Sequence, residues 1–409
     1  MNTLTIIGLG YIGIPTAVFF ANNGVKVQGF DINENIVNLL NLGKINIVEP
    51  GLEEMVLNAV KAGNLVANTV IKPADAFIIS VPTPFKENHQ PDLKYIESAV
   101  KSISTVVKKG DLIVLESTSP VGTTEQVATW LQEYCPELNI TGANNKSDVY
   151  VAYCPERMIP GNVFELVEND RIIGGINPES TQKAIELYSI IAKGELLKTN
   201  SRAAEMSKLT ENSYRDVNIA FANELSIICD RLNIDVQELI ELANHHPRVN
   251  ILQPGCGVGG HCIAVDPWFI ISKTPEQAKL IKQAREVNDY KPQFVIEKVE
   301  KAVKDLGIDN AKITCFGLAF KPNIDDLRES PALQICKTLA EKFSNVSAVE
   351  PNISVLPKSL EDKGVKLVSL EDGLNSDVLV MLVEHKEFKN VKFNKSDLQK
   401  LIDTRGIWK

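Results

Sequence analysis

Along the first 155 positions, short apolar and β-branched runs alternate with stretches of helical character: LTIIG, VKVQGF, AFIISV, DLIVLES and VYVAYC. This alternation predicts βαβ units and a parallel sheet. From Ser201 to Asn233 the pattern changes to one long helical segment with neither glycine nor proline. Further helical stretches follow at Val236 to Asn244 and from about Pro275 to Leu306. The strand rhythm then returns in KITCFG, NVSAVE and DVLVMLV, predicting a second, smaller α/β domain. The expected domains are 1–200, 201–305 and 306–409, and the two α/β parts are expected to resemble each other only in architecture.

Composition fits this picture, since 409 residues are too many for one core, and 44% hydrophobic with 23% charged residues is ordinary for a globular chain. The net charge of −9, with no basic block, disfavours nucleic acid and anionic membrane surfaces. An anionic substrate would therefore need local arginines and lysines. No signal peptide and no membrane span are read, because the longest apolar runs are strand-sized, and a cytoplasmic location is expected. Seven cysteines without a CxxC pair predict neither a disulfide framework nor a zinc knuckle, and reduced thiols are expected.

The first chemistry lies in IIGLGYIGIP, where Gly8, Gly10 and Gly13 form GxGxxG directly after a strand and at the start of a helix. Glycines there let a turn and a helix N-terminus approach a pyrophosphate. A second strand ends at Asp31, eighteen residues after Gly13, where a carboxylate can accept from both adenosine ribose hydroxyls. Because that charge repels a 2′-phosphate, NAD is predicted over NADP. SVPTPF, with Pro82 and Thr83, and ESTSPVG, with Thr118, each follow a strand, at the sheet edge where ligands bind in open α/β folds.

The second constellation centres on GCGVGGHCIAVDPW, residues 255–268. Gly257, Gly259 and Gly260 suggest a tight loop around something small, with Cys262 at its rim. In the long helical segment Lys208 and Asn212 are four apart and so share a face; Glu205 and Glu211 lie nearby, as on an ordinary solvated face. Glu156, in YCPERMIPG, follows a strand and opens onto the edge of the sheet where the dinucleotide is expected.

Taken in order and at these separations, ESTSPVG, AYCPER, EMSKLTENSYRDVNIAFANE, GVGGHCIAVDPWF and GLAFKPNIDDLRESPA resemble the nucleotide-sugar 6-dehydrogenases, the family that includes UDP-glucose dehydrogenase. The resemblance runs from Met1 nearly to Lys409. It implies an α/β fold with an N-terminal Rossmann-type dinucleotide domain, a central long-helix domain and a smaller C-terminal Rossmann-like domain. Histidine before the cysteine and IAVDPWF after it look most like the branch acting on UDP-N-acetyl-D-mannosamine; UDP-N-acetylglucosamine and UDP-glucose remain alternatives. One departure is Cys256, where similar sequences carry proline.

The resemblance further implies oxidation of carbon six of a UDP-sugar to a carboxylate with two NAD, through a thiohemiacetal and a thioester on Cys262. Lys208 and Asn212 would stabilise the oxyanions, Asp266 would hold the lysine or a proton-relaying water, Glu156 would activate water, and Thr118 would position catalytic water and nicotinamide. Arg328 would lie near the cofactor, with Tyr11 and Ile12 in the dinucleotide turn. Arg157, Gly259, Gly260, His261, Phe320 and Lys321 would contact substrate. Arg248 would reach the sugar of a neighbouring subunit, so a homodimer is expected. His261 is read as a binding or structural residue, and His245 and His246 lack a third ligand at metal spacing, so no metal is expected.

Two other readings are kept open. A two-electron dehydrogenase of the 6-phosphogluconate or 3-hydroxyacid type would need no cysteine and no second α/β domain. A nucleotide-binding sensor that had lost the reaction would have no use for Glu156, Lys208, Asn212, Cys262 and Asp266 together.

Overall fold

A computed structural model describes residues 1–47, 49–86, 89–140, 147–158, 162–391 and 399–408. It divides into two units, Met1–Thr210 and Glu211–Lys409. The first holds an eight-stranded sheet formed by β1 (Thr3–Ile7), β2 (Lys26–Phe30), β3 (Leu65–Asn68), β4 (Ala76–Ile79), β5 (Leu112–Leu115), β6 (Tyr150–Tyr153), β7 (Arg171–Gly175) and β8 (Leu196–Asn200). Their order is β3-β2-β1-β4-β5-β6-β7-β8, parallel except between β6 and β7. The β4 and β5 strands are buried throughout, because helices cover both faces of a parallel sheet, and this is why they read as continuous apolar runs.

The second unit holds β9 (Ile313–Phe316), β10 (Val346–Val349), β11 (Lys366–Leu367), β12 (Val378–Met381) and β13 (Lys400–Asp403), all parallel. Their order, β11-β10-β9-β12-β13, repeats the arrangement of the first five strands of the large sheet. Both sheets thus reverse direction beside their first strand, which opens a ligand crevice at the strands' carboxyl ends.

Between the sheets in sequence, the helix Ser201–Leu232 begins directly after β8, and the division between the units falls within it. It ends where Asn233 takes a left-handed conformation (φ 55°), while Ile234 N–H closes on Cys229 C=O at 2.9 Å. The helix Val236–Asn244 follows, capped by Asp235. The third helical stretch is shorter than expected at its start: an extra helix, Asp266–Lys273, comes directly after the glycine loop, and the long helix runs from Lys279 to Leu306.

Candidate active site

In the first unit the dinucleotide turn is defined by close approach. A Cβ on Gly13 would stand 1.8 Å from Gly8 C=O, so helix Gly13–Asn22 can begin there only without a side chain. Gly8 has φ 94°, and its N–H donates to Phe30 C=O at 2.9 Å. Gly10 is exposed with open space at its Cβ position, which leaves room for a phosphate. Asp31 is half-buried: one carboxylate oxygen accepts Leu9 N–H at 2.8 Å and the other Asn33 N–H at 2.9 Å. Its orientation is therefore fixed while it stays accessible, as a ribose acceptor requires. Thr83 Oγ1 donates to Thr118 C=O at 2.6 Å and Ser117 Oγ to Val81 C=O at 2.7 Å, tying together the two loops that follow β4 and β5. Pro82 and Tyr11 are exposed, and Ile12 is half-buried at the helix start. These residues fit a bound dinucleotide.

Glu156 is buried just beyond β6, and burial pushes its carboxyl up to about 7, against the pull of the Lys208 ammonium. It accepts Met158 N–H. A carboxyl poised near neutrality suits a general base. Arg157 donates to Asp170 C=O at 2.9 Å. Sequence reading missed the group underneath. Glu116 is buried, accepts Thr16 Oγ1, Ser80 Oγ and Tyr188 O–H, and lies 3.6 Å from the buried Arg171 guanidinium. Burial pushes the Glu116 carboxyl up even so. The network links the glycine-turn helix to the loops after β4 and β5, to β7 and to the helix Pro178–Tyr188.

Glu205 corrects the expectation of a solvated face. It is wholly buried and accepts from Gly122 N–H, Thr124 N–H and Thr124 Oγ1 at 2.6–2.7 Å, capping the helix Thr123–Tyr134 that follows the Thr118 loop. Lys208, one turn further on, is half-buried.

In the second unit Asn212 Nδ2 donates to the buried Asp266 carboxylate at 2.5 Å. Asp266 opens helix Asp266–Lys273, and its N–H and that of Val265 both bond Cys262 C=O, at 2.8 and 3.0 Å. The cysteine is thus exposed at a helix start whose first acid is bonded to Asn212. The glycine loop is wedged in place: a Cβ on Gly257 would meet Pro331 and Pro292 at 2.9–3.0 Å, and on Gly259 it would reach Glu329 C=O at 2.4 Å. Gly260 takes φ 82°, and a Cβ there would touch the Phe320 ring at 3.0 Å. The loop's start is held by Asn223, which accepts Gly255 N–H and donates to Asn288, itself bonded to Asp216 beside Arg285.

Cys256 lies in the core of this unit, and burial pushes its thiol up to about 11, so it is a packing residue rather than a second nucleophile. None of the seven cysteines forms a disulfide. Lys321 Nζ lies 5.9 Å from the centre of the Phe320 ring, Arg328 forks onto Asp326 at 2.7 and 2.9 Å, and His261 and Arg248 are exposed. Among the described residues no group of three His, Cys, Asp or Glu side chains is arranged to hold a metal, and no helix is long and apolar enough to cross a membrane.

Models of the UDP-glucose/GDP-mannose dehydrogenase family match almost the whole chain: the NAD binding domain at residues 2–192, the central domain at 202–290 and the UDP binding domain at 314–409. The chain belongs to this family, and it is an NAD-dependent nucleotide-sugar dehydrogenase with the expected α/β architecture. It is 60% identical over 400 residues, 96% of this chain and 98% of the relative, to a UDP-N-acetyl-D-mannosamine dehydrogenase of Campylobacter jejuni. An NDP-N-acetyl-D-galactosaminuronic acid dehydrogenase of Ralstonia nicotianae is 53% identical over all of this chain and 96% of its own. Among solved structures, a UDP-D-ManNAc dehydrogenase of Pyrococcus horikoshii is similar with a TM-score of 0.88 and 38% identity, covering 100% of this chain and 96% of that one.

Proposed function

We propose that the enzyme oxidises UDP-N-acetyl-D-mannosamine at carbon six to UDP-N-acetyl-D-mannosaminuronate, in two steps at one site. The observation that carries the chemistry is the exposed Cys262 at the end of the wedged glycine loop, one helical start away from the Asn212–Asp266 pair. The sugar assignment is supported by the 60% identical relative. NAD, when bound, accepts a hydride in each oxidation.

The first oxidation leaves an aldehyde, a poor hydride donor until its carbonyl carbon becomes tetrahedral. Cys262 thiolate adds to that carbon, and the new C–S bond places a negative charge on the former carbonyl oxygen. Lys208 and Asn212 stabilise this oxyanion, and Asp266 orients the Asn212 amide. Loss of the second hydride leaves a thioester on Cys262, and Glu156 takes a proton from the water that cleaves it, releasing the acid and the thiol. A base titrating near 7 makes this hydrolysis rise as pH climbs through neutrality. Thr118 positions the water, Arg328 and the Gly8 to Gly13 turn with Asp31, Pro82 and Thr83 serve the cofactor, Lys321 takes the UDP diphosphate and Phe320 contacts the substrate.

The working enzyme is a homodimer in this reading, with Arg248 of one subunit serving the sugar bound by the other. Tyr214, Phe221, Ile228 and Leu232 support it, since they form an exposed apolar stripe on helix Ser201–Leu232 at seven-, seven- and four-residue spacing, Tyr214 being 71% exposed. The test is Cys262→Ala: acid formation should fall by several orders of magnitude with NAD binding intact, while the unmutated enzyme releases two NADH per sugar. Near-normal turnover by the variant overturns the mechanism. Comparing UDP-N-acetylmannosamine, UDP-N-acetylglucosamine, an N-acetylgalactosamine nucleotide and UDP-glucose tests the sugar.

A further inference from the structure

The five histidines include one that is wholly buried in the second unit, far in sequence from every residue assigned above. His385 has no exposed surface, and its neighbour Glu350 is only 4% exposed. Its Nδ1 accepts Asn323 N–H at 2.9 Å, which leaves the proton on Nε2, and Nε2 donates to Glu350 at 3.0 Å. The same Glu350 oxygen accepts Leu318 N–H at 2.7 Å and Ala319 N–H at 3.2 Å, while the other accepts Asn352 N–H at 3.1 Å.

A single imidazole–carboxylate pair therefore grips the chain on both sides of three residues, Phe320, Lys321 and Pro322. Asn323, the far end of the grip, sits in the left-handed region with φ 62°, which asparagine tolerates better than most non-glycine residues. Its side chain is fixed as well, accepting Lys386 N–H at 2.9 Å. Phe320 in turn packs on Gly259 and Gly260, three and two residues before Cys262. Left to itself, a loop rich in charged residues would sample many conformations, and binding would have to order it each time.

We propose that His385, braced by Glu350, is a positioning residue that presets Lys321 for the nucleotide diphosphate and Phe320 beside it for the substrate. This rests on the reading that these two residues meet the UDP-sugar. His385 touches neither substrate nor cofactor; it acts by holding the backbone on which they stand.

The test is UDP binding to the intact enzyme by calorimetry, with NAD binding as the internal control. His385→Leu, which loses the bonds to Asn323, Asn352 and Glu350, should weaken UDP by about tenfold or more and leave NAD affinity within twofold. His385→Asn keeps an acceptor near the Nδ1 position and should recover most of the affinity, whereas His385→Gln keeps only the donor toward Glu350 and should recover less. Should the leucine variant fail to fold, the order asparagine better than glutamine carries the test alone. Lys321→Ala separates the two ideas. Weakened UDP binding in Lys321→Ala beside unchanged binding in folded His385 variants overturns the positioning role. Unchanged binding in both overturns the placement of the diphosphate at Lys321, and the role of His385 with it.

Discussion

The two sheets solve one local problem in the same way and then use the solution differently. The first strand of each is followed directly by a glycine with positive φ, Gly8 at 94° and Gly317 at 85°. Each glycine donates its N–H to the carbonyl that ends the neighbouring strand, Phe30 or Val349, at 2.9 Å. The next N–H, of Leu9 or Leu318, goes to the acid that follows that strand, Asp31 at 2.8 Å or Glu350 at 2.7 Å. Here the copies part. Asp31 is half-buried with capacity to accept more, while Glu350 is sealed by His385, Ala319 N–H and Asn352. The second glycine of GLGYIG, Gly10, is matched by Ala319 in GLAFKP. An open carboxylate beside an open glycine fits the proposed cofactor site. A closed carboxylate beside an alanine makes a scaffold.

The largest expected effect comes from breaking the closed copy. Glu350→Ala leaves Leu318 N–H, Ala319 N–H and the His385 imidazole without their buried acceptor, and should cost about 3 kcal/mol or more in chemical unfolding. Asp31→Ala should cost the ligand-free enzyme less, because it strands the N–H of one buried residue, Leu9, while the exposed Asn33 N–H passes to water. Equal destabilisation by both would erase the distinction between scaffold and site.

Next in size is the effect of Asp31 on cofactor choice. With Asp31 as the proposed ribose acceptor, Asp31→Ala removes that acceptor and the charge opposed to a 2′-phosphate, so NAD affinity should fall by about 10- to 100-fold, equal to about 1.4–2.7 kcal/mol. The preference for NAD over NADP should narrow in parallel kinetic assays. An unchanged ratio would show that the open carboxylate is not the ribose site.

How much of this the sequence announced depends on how local each signal was. GxGxxG, its strand and Asp31 lie within 31 residues, and the turn geometry follows from the glycines themselves. The long helix was equally legible, since nothing in Ser201–Leu232 breaks it. The strands β3, β7 and β8 were not, because β3 and β8 are short and partly exposed and so lack a continuous apolar run. Glu205 read as a surface charge, for its partners at Gly122 and Thr124 lie more than eighty residues away. The likeness of the two sheets went beyond the expected architecture and stayed hidden for a similar reason. GLAFKP keeps only the first glycine of its counterpart, and Glu350 is explained only by His385, 35 residues further on. The Asn212–Asp266 bond likewise spans 54 positions.

A third, smaller effect concerns acid. Burial would raise the Glu350 carboxyl, but the bonds from His385 and from backbone N–H groups outweigh it and hold the group below its ordinary 4.5. A carboxyl depressed on folding contributes stability above the unfolded value and loses it as pH falls through the folded one. Each unit of depression is worth about 1.4 kcal/mol. Stability of the unmutated enzyme should therefore drop more steeply below pH 4.5 than that of Glu350→Gln, which lacks this contribution at every pH. Parallel slopes in denaturant titrations would remove Glu350 from the acid response.

The smallest structural effect should come from the position where the copies differ by one methyl group. Gly10 has nothing within 4 Å of its Cβ position and no positive φ, so Gly10→Ala meets neither a clash nor backbone strain. Replacing glycine where the backbone suits alanine reduces the freedom of the unfolded chain, and stability should change by no more than about 1 kcal/mol, in the favourable direction. The added methyl nevertheless stands where a pyrophosphate must approach the turn, and NAD binding should weaken by about tenfold. That combination, a fold untouched and a cofactor displaced, is what an open site predicts. Ala319 already carries this methyl in the closed copy, and Ala319→Gly should create no dinucleotide affinity there because His385 and Glu350 still fill the acceptor positions. If Gly10→Ala leaves NAD affinity unchanged in calorimetry, the pyrophosphate does not lie on this turn, and the contrast between the two glycine ends loses its functional meaning.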